Sequence, residues 1–263
     1  MSTNLAADVV DSAQIEDHIV SAITDPRFLL LTAAQTKDLA TADDQSWTNF
    51  AAEWDMLTPD SYMADGGTYR LRRYSRFTLN VETGQLTQLP HGPYRQSMVV
   101  NNLNGGIDRH FDPCTSSFCD NPVLQGLLPK LGKAFSRAQG ATNWDIKLHP
   151  YRIKTSATAA GKPAPEGRHR DGVTFIMTMM INRHQISGGE SAVYTNDGDR
   201  LATLTLTSPG EILMGDDRNT THSVTPIHPR RLKGQGHRDV LVIAFTAETE
   251  QTSARAGKRR PLP

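Results

Sequence analysis

Residues 165–181 read PEGRHRDGVTFIMTMMI, a polar approach that runs without a break into an apolar stretch. In extended backbone successive side chains point to opposite faces. His169 and Asp171, two positions apart, therefore share one face at the mouth of a strand predicted over Val173 to Ile181. An imidazole and a carboxylate aimed at one point, joined by a more distant histidine, form the facial triad that holds iron(II) and leaves its remaining positions open. His222 is the candidate third ligand. It lies in GDDRNTTHSVTPI (215–227), after another strand-like run and far enough along the chain for hairpins to bring it back to the pair. Alone, His-x-Asp is a weak signal, because a surface histidine near an aspartate recurs by chance. On that plainer reading His169 is solvated and His222 hydrogen-bonds within its loop.

Working outward, Ser191 to Tyr194, Leu201 to Thr207, Glu211 to Met214 and Asp239 to Thr246 read as short strands parted by Gly- and Pro-containing turns. Upstream, Trp144, Ile146 and Leu148 alternate as a strand running toward Arg152, while Tyr69 to Arg73 and Arg76 to Val81 are β-like. Gln96 to Val100 reads as a strand and Asn101 to Arg109 as a polar loop. The first third is helical instead. Ile15, Ile19, Val20 and Ile23 recur at helical spacing between Ser12 and Thr24, Phe28 to Thr32 is a short buried strand, and Trp47, Phe50, Ala51, Trp54 and Leu57 stripe a second helix stopped by Pro59. Val123, Leu124, Leu127, Leu128, Leu131 and Phe135 mark a third, kinked or divided at Pro129. The pattern predicts a mainly β protein with helices (α+β), a β-sandwich or jelly roll buttressed by N-terminal and central helices. Residues 1–263 form a single expected domain, and the basic tail 254–263 is expected to be disordered.

With 263 residues, 37% of them hydrophobic and 21% charged, the chain can bury a sizeable core. No apolar run is long enough to span a bilayer, and the N-terminus shows neither a basic leader nor an apolar h-region, so the cytoplasm is the expected compartment and no membrane partner is expected. A formal net charge of zero argues against nucleic acid as a partner. Cys114 and Cys119, without a second pair, match neither a disulfide framework nor a zinc site and read as reduced thiols in a loop. Oligomeric state is not legible here.

Arg238 opens RDVLVIAFT, where Arg238, Val240, Val242 and Ala244 share one face and Leu241, Ile243 and Phe245 the other. Its guanidinium has the fork to hold a carboxylate bidentately; the alternative is a strand-end cation paired with Asp239 or solvent. Arg70, Arg72, Arg73 and Arg76 read as a solvated face, with anion binding as the alternative. His149, His184, His228 and His237 are weaker metal candidates, each readable as solvated. Thr155 to Gly167, immediately before the central motif, sits where a lid would.

The combination PEGRHRDG, INR, SGGES, GDDRNTTHSVTPI and HRDVLVIAFT, with RYSRF and NNLNGGIDRHFDP as looser matches, resembles the bacterial isoleucine-dioxygenase type of 2-oxoglutarate- and iron(II)-dependent oxygenases from about Tyr69 onward. The resemblance implies a double-stranded β-helix (a cupin-like jelly roll), Fe(2+) held by His169, Asp171 and His222, and Arg238 on the far carboxylate of 2-oxoglutarate. The implied activity uses O2 to hydroxylate an unactivated carbon of a free, aliphatic amino acid, releasing succinate and CO2. Glu166, Asn101, Asn102, Asn104 and Arg109 are candidate substrate contacts; alternatively Glu166 caps a turn, Arg109 is structural and the asparagines satisfy their own loop. Two rivals stand beside this reading: the same chemistry on a peptide, cyclic dipeptide or other secondary-metabolite intermediate, and a non-catalytic cupin-like protein that binds a metal or ligand.

Overall fold

A computed structural model describes residues 11–63, 65–98, 105–140, 143–231 and 234–248. Asn101, Asn102, Asn104 and the tail 254–263 lie outside the described residues. Helix α1 (Ser12–Thr24) starts where the Asp11 carboxylate accepts from the Ala13 amide at 3.3 Å, and it buries Ile15, Ile19 and Ile23 on one stripe. After β1 (Phe28–Leu31) the aromatic stripe from Trp47 falls on a helix that tightens into a 3-10 turn, and a separate short helix that the stripe does not reach precedes it. Thr32 and Gln35 form a capping box that opens α2 (Ala33–Ala40), Thr41 ends it in the left-handed region at φ 52°, and Asp43 caps α3 (Asp44–Ala52) on the Ser46 amide at 2.7 Å. Trp54 then sits in the turn Glu53–Met56, its indole N–H donating to the Tyr151 carbonyl at 3.0 Å. Local capping chemistry sets the boundary between the two helices ahead of the stripe.

The short strands β2 (Thr58–Pro59), β3 (Arg70–Arg72), β4 (Ser75–Leu79) and β5 (Leu86–Gln88) follow. Gln96 to Met98 form no strand, in contrast to the sequence expectation. A helical turn, α4 (Ser116–Cys119), leads to α5 (Pro122–Gln139), which Asn121 caps on the Val123 amide at 2.9 Å and which continues past Pro129 as one helix. Helices α5 and α2 approach so closely that a Cβ on Gly126 would lie 1.9 Å from the Ala40 carbonyl oxygen, which is why no side chain fits there. Cys114 and Cys119 are free and buried, and Cys119 closes α4 rather than lying in an open loop.

The remaining strands are β6 (Trp144–Ser156), β7 (Phe175–His184), β8 (Ile186–Gly188), β9 (Ser191–Thr195), β10 (Arg200–Leu204), β11 (Ile212–Asp216), β12 (Thr220–Val224), β13 (Ile227–Pro229) and β14 (Gln235–Ala247). The main sheet runs β1-β11-β7-β14-β6-β3-β2, with β4 also on β6 and β5 on β4. Smaller sheets β10-β9-β12 and β13-β8 pack on its inner face, through Val193 against Met180 and Val240, and through Ile186 and Ile227 against Ile153. The result is a jelly roll, its strand pairs antiparallel.

Alternation sorts the two faces. Phe175, Met177, Met179 and Ile181 of β7 and Leu241, Ile243 and Phe245 of β14 meet Ile15, Ile19, Phe50, Trp54, Leu131 and Phe135 of the helical layer in one core. The residues between them, including Lys147, His149, Tyr151 and Ile153 on β6 and Arg238, Val240, Val242 and Ala244 on β14, line a cavity of about 1210 Å³. The face-sharing set read from RDVLVIAFT is the set that faces this space.

Candidate metal and co-substrate site

His222 lies on β12, paired with β9 opposite Val193, and not in a loop. It also forms an isolated antiparallel bridge with His169: each amide donates to the other's carbonyl at 3.0 Å. Directly opposed residues put their side chains on the same face, so the imidazole centroids are 4.4 Å apart. Asp171 shares that face from two residues along. Its Oδ2 is 3.4 Å from His222 Nε2 and 3.9 Å from His169 Nε2, and one ligand atom from each of the three residues lies within 4.8 Å of the others. Two imidazoles and a carboxylate at this spacing form a donor set fit for a divalent metal with open positions.

The donor atoms are aimed by hydrogen bonds. His169 Nδ1 lies 2.9 Å from the Gly167 carbonyl, which assigns the proton to Nδ1 and leaves the Nε2 lone pair facing inward. Burial, and then the nearby His169, push the His222 pKa down to about 4, so that ring is neutral across the physiological range. Burial opposes charge on His169 too, but the Asp171 and Glu166 carboxylates outweigh it and raise that pKa. Asp217, with 1% of its surface exposed, accepts from the amides of Asp171 at 3.0 Å, Gly172 at 2.7 Å and Val173 at 2.9 Å. It thereby locks the turn that presents Asp171. The Asp216-Asp217 doublet was the only trace of this in the sequence, and nothing there separated it from ordinary loop acids.

Arg238 projects into the same cavity and is 2% exposed. Its Nε and Nη2 are buried without a partner, and no carboxylate of the described residues pairs with it. Asp239, the alternative partner, points to the opposite face and is engaged by Arg152. Burial and the adjacent Arg183 lower the Arg238 pKa to about 10. A Cβ on Gly189 would come within 3.4 Å of Arg238 Cδ, so the guanidinium stem lies in a cradle that a larger residue would fill. A buried cation whose donors lack acceptors is what a ligand carboxylate requires.

Of the other sequence candidates, Glu166 lines the cavity with Oε1 3.4 Å from His169 Nε2, and Arg109 lines it while 3% exposed. Thr155 to Gly167 is anchored: Gly161 and Ile227 exchange amide hydrogen bonds at 3.0 and 2.8 Å, and Lys162 to Glu166 form part of the cavity wall. Two expectations are corrected. Arg72 is not on a solvated face; it is 2% exposed, held among Phe111, Tyr151 and Tyr94 and lining the cavity. His149 is likewise not solvated, since it is 3% exposed with Nδ1 2.6 Å from Arg72 Nη2. Alternation of His149 with Lys147 and Tyr151 on a strand whose other face is apolar was the available signal.

A jelly roll whose mouth gathers two imidazoles and one carboxylate, beside a buried arginine lacking an acceptor, defines a protein built around a single metal ion and an anionic co-substrate. The sequence profile described as 2OG-Fe dioxygenase matches residues 51–244, and the chain belongs to that family. It is an iron(II)- and 2-oxoglutarate-dependent dioxygenase, using Fe(2+), 2-oxoglutarate and O2. It is 26% identical over 188 residues to the 3(1)-hydroxy-L-isoleucine 4-dioxygenase of Pantoea ananatis (strain AJ13355), covering 70% of this chain and 75% of that one. Against the L-isoleucine-4-hydroxylase of Bacillus thuringiensis the identity is 25% over 195 residues, covering 72% and 78%. The crystal structure of a bsmA homolog from Methylobium petroleophilum PM1 superposes with a TM-score of 0.81 at 32% identity, over 88% of this chain and 92% of the other. Among the described residues no helix is long and apolar enough to cross a membrane.

Proposed function

We propose that the enzyme hydroxylates an unactivated carbon of a free aliphatic amino acid, with His169, Asp171 and His222 holding Fe(2+) and Arg238 gripping the distal carboxylate of 2-oxoglutarate. The observation that carries this is the convergence of those three ligand atoms within 4.8 Å, at a cavity lined by Arg238, whose Nε and Nη2 are buried without partners. The names of the two curated relatives, both isoleucine-directed, support an aliphatic amino acid as substrate. When bound, iron and 2-oxoglutarate activate O2, with decarboxylation to succinate and CO2, for attack on a C–H bond.

The chain's own residues position and exclude. Gly167 holds the His169 ring through Nδ1, and Asp217 holds the main chain of Asp171. Arg238 sets the depth at which a dicarboxylate lies, and Val240, Val242 and Ala244 keep the wall beside it apolar. Such control matters because misplacement by about an ångström redirects or wastes the oxidant. We also propose that residues 1–263 act as one domain, since helices and main sheet share one apolar core, and that the enzyme works in the cytoplasm, where Cys114 and Cys119 remain free thiols.

The test is succinate formation by protein reconstituted with ferrous iron and given 2-oxoglutarate with the amino acids one at a time. Succinate produced in step with a hydroxylated aliphatic amino acid is the expected result; no stimulation by any amino acid overturns the proposal. One observation favours a second reading. The cavity of about 1210 Å³ exceeds the roughly 300–1,000 Å³ typical of single-ligand pockets, and what 2-oxoglutarate and the metal leave free is open to a substrate larger than an amino acid. Turnover of peptides or cyclic dipeptides, with free amino acids inert, would select that alternative.

A further inference from the structure

A second cationic site lies across β6 from Arg238. Arg72 on β3 pairs with Tyr151 of β6, whereas Arg238 on β14 pairs with Ile153, so the two arginines reach the cavity from opposite sides of that strand. Two strand spacings separate them, on the order of 10 Å. Arg109 joins Arg72 there. The Arg72 guanidinium carbon is 3.7 Å from the Phe111 ring centroid and 5.6 Å from that of Tyr94; for Arg109 the corresponding distances are 6.0 and 4.6 Å. Both cations are thus gathered on the same two rings, and both line the cavity.

Charge at this site does not balance. Asp60 is the nearby carboxylate, but its close ion pair is with Arg70 Nε at 2.7 Å, while Arg72 Nη1 is 3.8 Å away. The partner of Arg72 Nη2 is His149 Nδ1, and burial together with the arginine keeps that imidazole neutral. Arg109 Nη2 donates to the Gln96 amide oxygen at 2.7 Å, again a neutral acceptor. The Nε atoms of Arg72 and Arg109 are buried without partners. Arg70 and Arg72 therefore share one carboxylate, Arg109 is paired with none among the described residues, and two buried N–H groups lack acceptors. Gln96 completes the geometry: its Nε2 lies 3.4 Å from the Asp171 carbonyl, which puts the arginine pair one side chain from the metal-facing turn.

We propose that Arg72 and Arg109 clamp the substrate's free carboxylate, so that the enzyme selects amino acids with an open carboxyl end and rejects their amides and residues inside a peptide. This rests on the amino-acid reading above and deepens it. A carboxylate held there, one amide side chain from Asp171, leaves an aliphatic side chain to extend toward the three metal-facing groups. Planar guanidiniums on aromatic faces are rigid, which suits recognition of a planar anion.

The test uses anaerobic protein loaded with ferrous iron and saturating 2-oxoglutarate, so that the co-substrate's own carboxylate site is filled. Calorimetry then compares L-isoleucine, L-leucine and L-valine with their carboxamides, while the visible charge-transfer absorption of iron chelated by the keto acid reports loading. At least one free acid is expected to bind about tenfold to a hundredfold more tightly than its amide, the size of a lost charge-assisted contact. Arg109→Gln and Arg72→Met are each expected to erase that preference, with the charge-transfer band and its 2-oxoglutarate titration unchanged. Arg109 is the safer variant, because it sits outside the named strands and its side chain has Gln96 as its one hydrogen-bond partner among the described residues. A loaded protein that binds every acid no better than its amide overturns the carboxylate clamp alone. Weakened 2-oxoglutarate binding in Arg109→Gln, with acid selectivity intact, reassigns the pair to the co-substrate and also overturns it. Failure to form the charge-transfer band overturns the cofactor site and the clamp together.

Discussion

Arg152 and Arg238 sit on the same pair of strands, one register step apart, yet they live in opposite circumstances. Arg152 faces the helical layer, where Nε and Nη2 donate to the two oxygens of Asp239 at 2.8 Å each, with Nη1 reaching Asp55 at 2.9 Å. Those contacts hold it protonated. Arg238 faces the cavity and finds no acceptor at all among the described residues. The chain neutralises the guanidinium that serves its fold and leaves unneutralised the one proposed to meet a ligand. Extended to whole faces, the difference says that the helix-side residues of the main sheet govern stability and the cavity-side residues govern chemistry.

That division can be broken most sharply at the metal face. His222→Ala is expected to abolish iron binding and succinate formation with little change in thermal midpoint, as measured by metal analysis beside a melting curve; a variant that still turns over 2-oxoglutarate would end the assignment. On the helix side, Phe245 packs edge-on against Phe135 and Trp144 with none of its surface exposed. Phe245→Ala should cost about 3–5 kcal/mol of stability in denaturant titration. Its folded fraction should keep the wild-type KM for 2-oxoglutarate.

Arg238→Met sharpens the comparison because it removes a buried charge. It should raise the 2-oxoglutarate KM by about tenfold to a hundredfold, while the melting temperature holds or rises, since no internal partner is orphaned. Unchanged co-substrate kinetics would refute the assignment of Arg238. The smallest effect is expected from Asp55→Ala. Asp55 is 75% exposed and holds only the outer arm of Arg152, so its loss should cost no more than about 1 kcal/mol, and less in high salt.

Much of this was legible before any fold existed. The bounds of α1, the two-faced pattern of β14 and the shared face of His169 and Asp171 all follow from periodicity and short-range caps. Helix α2 was legible in principle from the caps Thr32 and Asp43, but it carries no aromatic stripe of its own to announce it. Arg72 was not legible. An arginine alternating with Leu71 looks the same on a solvated edge as in a pocket, and Tyr94, Phe111 and Tyr151, supplied from later segments, bury it. Asp217 is a similar case, because three amides from residues 171–173 give it a role its own neighbours do not announce.

The sequence by itself determined where the chain turns helical or extended, which side of each strand is apolar, and which residue types are available to hold iron and a dicarboxylate. These are local properties, set by side-chain period and by backbone groups a few residues apart. Only the tertiary structure decided that His222 lies directly opposite His169, that Asp239 turns toward Arg152 and away from Arg238, and that Arg72 and Arg109 meet on the same aromatic rings. Those facts depend on register between distant strands and on which charges the fold removes from water, and no local pattern encodes either.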